Sequence, residues 1–320
     1  MTSDASRSQP TRPRAPWGAA FVVSVCLLCL GALLTPFALF FIGFQIGGPV
    51  PGEDEADHGR ELLKQGNYSA ALEELQAAVA LGYDNSFLRL DLAKCFEGLD
   101  RLDEADAAFD VAIGDGHWWP PYTEKAEFLR RRDGADAANA WLAGLDRDKT
   151  DPKFAYLQAN FRHDSCGDHA GAIPFYEEAV RRASARHGFR FDAAGWLVLD
   201  EPTLQKENND YADLWPTLEH LARCRLATSD ASGALRTATM GVAIGQQLNR
   251  CKGYYEATEI EAGDVSCRVL RARALTQLGL LDEVEHELGL AATLAGRGSY
   301  TGHAAEIRSA RRELERARSR

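Results

Sequence analysis

Residues 65–82 read QGNYSAALEELQAAVALG, and residues 99–116 read LDRLDEADAAFDVAIGDG. Each stretch places a turn former, an alanine, a large apolar residue and a second alanine at the same offsets. The pattern recurs after 34 residues, from Ala71 to Ala105. Side chains four and seven residues beyond each of these alanines lie one and two helical turns away, so they share one helix face. The sequence therefore predicts two copies of one helical unit.

The same register extends through four copies between residues 56 and 185. The small residue of the second helix recurs at intervals of 34, 33 and 34 residues. Each copy has a packing position twelve residues before it and a turn former five residues before it. In chain order the second-helix residues are Ala71, Ala105, Ala138 and Ala172, the packing positions are Gly59, Ala93, Ala126 and Asn160, and the turn formers are Gly66, Asp100, Asp133 and Gly167. A single hairpin cannot bury its own apolar face, so the copies must stack.

A helical hairpin of about 34 residues is the tetratricopeptide period. The sequence resembles the tetratricopeptide-repeat family most clearly over residues 56–116, and more weakly to residue 185. The residues that carry the resemblance are Gly59, Leu62, Gly66, Tyr68, Ala71, Leu75, Ala78, Ala93, Phe96, Ala105, Phe109 and Ala112. We therefore expect an all-α protein in which a single N-terminal transmembrane helix precedes an α-solenoid of tetratricopeptide-like hairpins.

Two further copies continue the array out of phase. Their marked residues are Ala222, Ser229 and Ala234, then Ala272, Gly279, Val284 and Leu288. The last segment carries a weak apolar stripe at Ala305, Ile307 and Leu314 and is expected to cap the array. The predicted organisation is a cytoplasmic tail at 1–16, a transmembrane helix at 17–46, a linker at 47–55, repeats at 56–185, an irregular insertion at 186–211, degenerate repeats at 212–300 and a capping helix at 301–320. The insertion is either a partner-binding segment or a decayed copy.

The predicted membrane anchor is the apolar run at residues 17–46, which contains no Lys, Arg, Asp or Glu. A spanning helix needs about 20 apolar residues, whereas a cleaved signal peptide has an apolar part of about 7–15 that ends at small residues. Three arginines precede the run and acidic residues follow it at 53–57. The positive-inside rule then leaves the N-terminus in the cytoplasm and the repeats outside. The layout resembles bacterial membrane-tethered tetratricopeptide proteins, which implies a signal-anchor, single-pass protein of the plasma (inner) membrane.

The densest polar cluster is HDSCGDH at residues 163–169. His163, Asp164, Cys166, Asp168 and His169 are all residue types that bind metals. The stretch also contains the inter-helix turn of copy four, and turns collect Asp, Ser and Gly. Ligands so close in sequence need a special loop to converge on one ion. We interpret the stretch as a turn and predict no metal ion and no cofactor.

Five cysteines lie outside the predicted span. Cys95 and Cys224 each fall two residues after a first-helix packing position, so we expect both to fill the core. Cys166, Cys251 and Cys267 fall in or near loops and copy starts. If the repeats lie outside the cytoplasm, that compartment permits disulfides, and Cys251–Cys267 is the predicted pair.

Stacked hairpins form a superhelix whose concave face is lined by the first helices. Residues just after each packing position, and one residue a turn further along copy three, point roughly toward that face. The candidate partner-binding residues are Arg60, Lys94, Glu127, Arg130 and Phe161. The family resemblance implies that this face takes an extended peptide or a partner helix. The net charge of −11 excludes nucleic acid as the main partner, because phosphate binding needs clustered Lys and Arg.

The sequence contains no GxSxG, HExxH, P-loop or GxGxxG motif. We therefore expect a membrane-anchored scaffold or adaptor that binds other proteins and catalyses no reaction. The alternative is a structural subunit of a membrane complex, in envelope assembly, cytochrome c maturation or secretion, that interacts through its transmembrane helix. A metal-dependent enzyme that uses residues 163–169 is the third hypothesis.

Overall fold

The computed structural model describes residues 50–114, 119–187, 214–248, 257–296 and 301–320. These ranges contain thirteen α-helices and no strand. No helix within them is long and apolar enough to cross a membrane. The predicted span at 17–46 and most of the predicted insertion at 186–211 lie outside the described residues.

The described chain divides between Gly114 and Trp119 into two compact units. The first unit contains α1 (Glu53–Lys64), α2 (Tyr68–Ala80), α3 (Ser86–Gly98) and α4 (Leu102–Gly114). The second contains α5 (Pro120–Asp133), α6 (Ala135–Leu145), α7 (Pro152–Asn160), a π-helical turn (Phe161–Ser165), α8 (His169–His187), α9 (Trp215–Ala227), α10 (Ala231–Leu248), α11 (Ala257–Gln277), α12 (Leu281–Ala295) and α13 (Thr301–Arg318).

Within each unit the helices pack as hairpins. In the first unit α1 packs on α2 and α3 on α4, and the first helices α1 and α3 also touch. In the second unit α5 packs on α6, α7 on α8, α9 on α10 and α11 on α12, and the first helices α9 and α11 touch. Consecutive helices inside each unit pack on one another, and the first helices of successive hairpins meet at α1–α3 and α9–α11. This arrangement is a tetratricopeptide-like helical-repeat fold.

The repeat positions are core positions. In the first hairpin Ala71, Leu75 and Ala78 have no exposed surface. A Cβ atom on Gly59 would lie 2.7 Å from Cγ of Leu75, so α1 and α2 approach too closely there for any larger residue. The same register holds in the other copies, where the marked residues Ala105, Phe109, Ala138, Ala172, Tyr176, Ala234 and Val284 are all fully buried.

The turns inside the hairpins use the left-handed backbone conformation. Gly66, Gly167 and Gly279 have φ of 75°, 66° and 76°. Asp100 and Ser229 occupy the same position with φ of 59° and 64°, although they carry a side chain. A residue in this conformation lets the following N–H groups bond to the last carbonyls of the helix and ends it.

The third copy differs from its predicted turn by one residue. Asp133 is the last residue of α5, and the positive φ, 95°, falls on Gly134. Glycine adopts this conformation without a Cβ clash, so the chain turns at the glycine that follows the predicted turn former.

The last helix covers the end of the second unit. Ile307, Ala310 and Leu314 of α13 are buried in a cluster with Val284 and Leu288 of α12. The apolar stripe therefore follows a spacing of three and four residues. Ala305, which the sequence pattern placed in this stripe, is exposed.

Replacing Ser229 with glycine is expected to raise the free energy of unfolding by about 0.5–1 kcal/mol. The left-handed conformation costs a non-glycine residue roughly 1–2 kcal/mol, and the greater freedom of glycine in the unfolded chain offsets part of that gain. Ser229 is exposed, so no packing is lost. Urea denaturation of the full chain followed by circular dichroism measures the change.

The matched control is Gly279→Ala, since Gly279 has φ of 76° and an added Cβ there meets no atom within 4 Å. It should lower the free energy of unfolding by about 1 kcal/mol through backbone strain alone. A Ser229→Gly variant that unfolds at the same or lower urea concentration than the native chain would contradict the account of this turn.

Candidate functional site

Two of the candidate groove residues lie on the first helices of the first unit. Arg60 on α1 places Nε 3.1 Å from an Asp91 carboxylate oxygen on α3 and Nη1 2.7 Å from an Asp57 carboxylate oxygen. Its side chain is 29% exposed, and Lys94 on α3 is also half-buried. A partner that docked here would meet a guanidinium already paired with two carboxylates.

Glu127, Arg130 and Phe161 lie in the second unit. Glu127 accepts a hydrogen bond from Nε of Arg130 at 2.9 Å. Burial alone would raise the pKa of Glu127, but hydrogen bonds from Ser165 and Arg130 outweigh it and lower that pKa. Phe161 opens the π-helical turn and is only 3% exposed, so it belongs to the core and not to an accessible groove.

An open groove of about 310 Å³ lies between α8, α9 and α10. An apolar floor and a charged rim line it. The floor consists of Val180, Leu218, Leu221 and Met240, and the rim of Glu177, Arg181, Arg225 and Arg236. Arg225 donates from Nη2 to a Glu177 carboxylate oxygen at 2.6 Å. The groove thus combines apolar contact area with more basic than acidic side chains, and sequence analysis did not identify it.

A π-helical turn follows α7 and reorients the chain before α8. Cys166 donates its backbone N–H to the Phe161 carbonyl at 3.2 Å, five residues back. Asn160, at a position where other copies have a small residue, accepts a hydrogen bond at 2.6 Å from the hydroxyl of the buried Tyr176. π-helical turns of this kind occur frequently at functional sites.

The turn brings a cluster of ligand-type side chains together, which we call the histidine–cysteine cluster: His163, His169 and Cys224, with Asp164 and His220 beside them. The Nδ1 atoms of His163 and His169 lie 2.8 Å apart, and Cys224 Sγ lies 3.4 Å from His163 Nδ1. The His163 and His220 rings are 5.7 Å apart between centroids. The cluster joins residues from the π-helical turn, α8 and α9.

Burial sets the protonation of this cluster. It lowers the pKa of His163, although the Asp164 carboxylate acts in the opposite direction. It also lowers the pKa of His220. Burial raises the pKa of Cys224 to about 12, with Asp164 and Asp168 adding to the effect. At neutral pH His163 and His220 are therefore neutral and the thiol keeps its proton.

Three of the five residues of this cluster, His163, Asp164 and His169, were singled out from the sequence. Sequence analysis interpreted Cys224 as a core filler and did not consider His220. Cys224 is fully buried as expected. His220 and Cys224 are four residues apart on α9, which places both on one helix face. This His-x-x-x-Cys spacing is the sequence pattern that could have indicated that α9 contributes to the cluster.

The predicted disulfide cannot be placed, because Cys251 lies outside the described residues. Cys267 on α11 is fully buried, and its thiol is unbridged among the described residues. It lies so close to α10 that a Cβ atom on Gly241 would come within 2.6 Å of its sulfur. The Cys251–Cys267 pair stays a prediction.

By sequence the chain matches no protein-family model and no curated protein. Solved structures give low-identity matches. The C-terminal part of a TPR repeat-containing protein from Cytophaga hutchinsonii is 14% identical, with 78% of this chain and 84% of that chain covered and a TM-score of 0.40. The P58(IPK) TPR domain is 13% identical, with 84% and 99% covered and a TM-score of 0.19. At these values the matches say nothing about function.

Proposed function

We propose that the chain is a non-catalytic scaffold, anchored in the plasma (inner) membrane by residues 17–46, whose extracytoplasmic helical repeats bind another protein. The observation that carries the binding role is the groove between α8, α9 and α10. Its volume of about 310 Å³ is at the lower end of the range for sites that bury a ligand side chain or small molecule.

The chemistry of the groove suits a peptide segment with an apolar side chain next to acidic residues. The floor offers aliphatic and methionine side chains, and methionine adapts to partners of different shape. The rim carries three arginines against one glutamate. Arginine is enriched at protein interfaces, where its planar head group pairs with carboxylates.

Site-specific photo-crosslinking in native membranes tests the binding role. A photoreactive amino acid at Arg181, whose side chain is 64% exposed on the rim, should crosslink the full chain to a partner protein. The same amino acid at Arg311, an exposed position on α13 outside the groove, should not. Equal crosslinking at both positions, or none at Arg181, would remove the groove from the proposal.

A swap of the anchor separates the scaffold from the alternative role, in which the transmembrane helix is the interface. Replacing residues 17–46 with an unrelated single span should keep the Arg181 crosslink. If the span itself recruits the partner, the crosslink disappears although the chain remains in the membrane. A C-terminal reporter enzyme that is active only after export tests the orientation, and an inactive reporter would contradict an extracytoplasmic repeat domain.

A further inference from the structure

Three potential metal-ligand atoms converge in the histidine–cysteine cluster. His163, His169 and Cys224 each offer one ligand atom, and the three atoms lie within 4.8 Å of one another. In a tetrahedral zinc site with Zn–N of about 2.0–2.1 Å and Zn–S of about 2.3 Å, ligand atoms are about 3.3–3.6 Å apart. The observed Nδ1–Nδ1 and Sγ–Nδ1 distances are 2.8 and 3.4 Å. The Sγ–Nδ1 distance already lies in that range, and the Nδ1–Nδ1 distance needs to widen by about half an ångström to reach it.

The side chains around these atoms fit a metal ligand set. Nε2 of His163, on the opposite side of the ring from Cys224, lies 3.5 Å from an Asp164 carboxylate oxygen. Imidazole ligands commonly direct their second nitrogen at a carboxylate, which fixes the tautomer that binds metal through the first nitrogen. Nδ1 of His220 is buried and has no hydrogen-bond partner among the described residues. The His220 imidazole beside the three ligand atoms therefore has a nitrogen that could bond to a metal-bound water.

Charge also favours a dication here. Zinc bound to one thiolate and two neutral imidazoles carries a single positive charge. The negative carboxylate of Asp164 beside His163 stabilises that charge. The nearby arginines are paired elsewhere, since Arg162 contacts Asp168 at 3.2 Å and Arg223 contacts Glu219 at 2.8 Å.

We propose that His163, His169 and Cys224 bind one zinc ion, with water in the fourth position. Binding replaces the proton of the Cys224 thiol with the metal and releases that proton to solvent, with no change of oxidation state. The ion would join the π-helical turn, α8 and α9, so it would link the chain before residues 188–213 to the chain after them. This assignment differs from the leading interpretation of the sequence, in which residues 163–169 form a turn and bind no metal, and it adds Cys224 to the residues considered there.

Metal titration of the full chain in detergent tests the assignment. After treatment with a chelator, the native chain should bind one Zn²⁺ per molecule in competition with a coloured chelator, and its thermal midpoint should rise. Co²⁺ in place of Zn²⁺ should give a thiolate-to-metal charge-transfer band. No stoichiometric binding, or binding without that band, would overturn the proposal.

The decisive variant is Cys224→Ser, which should lose the charge-transfer band and weaken Zn²⁺ binding by at least about 100-fold. The matched controls are Cys166→Ser, an exposed thiol three residues from His163, and Cys95→Ser, a buried thiol in the first unit, and both should bind like the native chain. Retained affinity in Cys224→Ser would refute the site. Should Cys224→Ser lose its helical circular dichroism without metal, His169→Ala at a half-buried position gives a second test. It should weaken Zn²⁺ binding by a similar factor while the thiolate-to-metal band persists at saturating Co²⁺, and unchanged affinity would refute the site.

Discussion

Replacing Arg182 with alanine will lower the free energy of unfolding by about 3 kcal/mol, because it removes the buried partner of a buried carboxylate and leaves only the exposed Lys149 to pair with it. Arg182 on α8 donates from Nη1 and Nη2 to both carboxylate oxygens of Asp146, at 2.7 and 3.0 Å. The two side chains are only 5% and 6% exposed. Nη1 also donates to the Asp151 carbonyl at 3.0 Å, so the guanidinium holds the α6–α7 connection against α8.

Arg181→Ala is the matched control. Arg181 is the preceding residue and pairs with Glu178, as Arg182 does, but the Arg181 side chain is 64% exposed. Exposed ion pairs contribute about 0–1 kcal/mol, so this variant should unfold near the native midpoint in urea. Equal losses for the two variants would mean that the Arg182–Asp146 pair contributes no more than a surface pair.

The Arg182–Asp146 ion pair also predicts how the free energy of unfolding depends on pH. Although burial opposes the change, the guanidinium of Arg182 and the ammonium of Lys149 lower the pKa of Asp146, and hydrogen bonds from Arg181 and Arg182 lower the pKa of Glu178 to about 2. A carboxyl with a lowered folded-state pKa stabilises the fold above its unfolded pKa of about 4, and this stabilisation disappears as the pH falls toward the folded value. The native chain should therefore lose stability below about pH 4, and Arg182→Ala should lose less of it over that interval, because Asp146 then keeps only Lys149 and Glu178 only Arg181.

Local spacing was enough to predict the helical hairpins, because a helix face is set by residues three and four apart. Ala71, Ala105 and Ala138 are buried at their predicted positions since each has an apolar neighbour four residues along on the same face. The turn at Gly134 was missed by one residue because both Asp133 and Gly134 are turn formers. The positive φ falls on Gly134 because glycine has no Cβ to clash in that conformation, whereas aspartate does.

Contacts between distant residues could not be predicted in this way. Arg182 meets Asp146 across 36 residues, and His163 meets Cys224 across 61. Their convergence depends on how hairpins stack and on the π-helical turn, which no periodicity in the sequence indicates. Asn160 is instructive, because it broke the small-residue pattern in the sequence. The structure gives the reason: its side chain accepts the Tyr176 hydroxyl hydrogen bond beside the histidine–cysteine cluster.

Phe109→Ala is the second substitution with a large expected effect, a loss of about 3–5 kcal/mol in the free energy of unfolding. Phe109 lies on α4 at the large-residue position of the second copy and has no exposed surface. The alanine positions around it, Ala105 and Ala112, are also buried and have no longer side chains with which to fill the space. A cavity therefore stays open where the ring was removed, and the cost includes both the lost apolar burial and that cavity.

Val111→Ala tests whether the repeat register, and not helix α4 in general, sets this loss. Val111 is two residues away on the same helix but points outward and is 46% exposed. Truncating it should change the free energy of unfolding by no more than about 0.5 kcal/mol. Both variants are compared by urea denaturation of the full chain, with the unfolding of the first unit followed by hydrogen exchange of α3 and α4. Equal losses at positions 109 and 111 would mean that α4 does not present the face that a 34-residue hairpin repeat requires, and the stacking inferred for the first unit would fail with it.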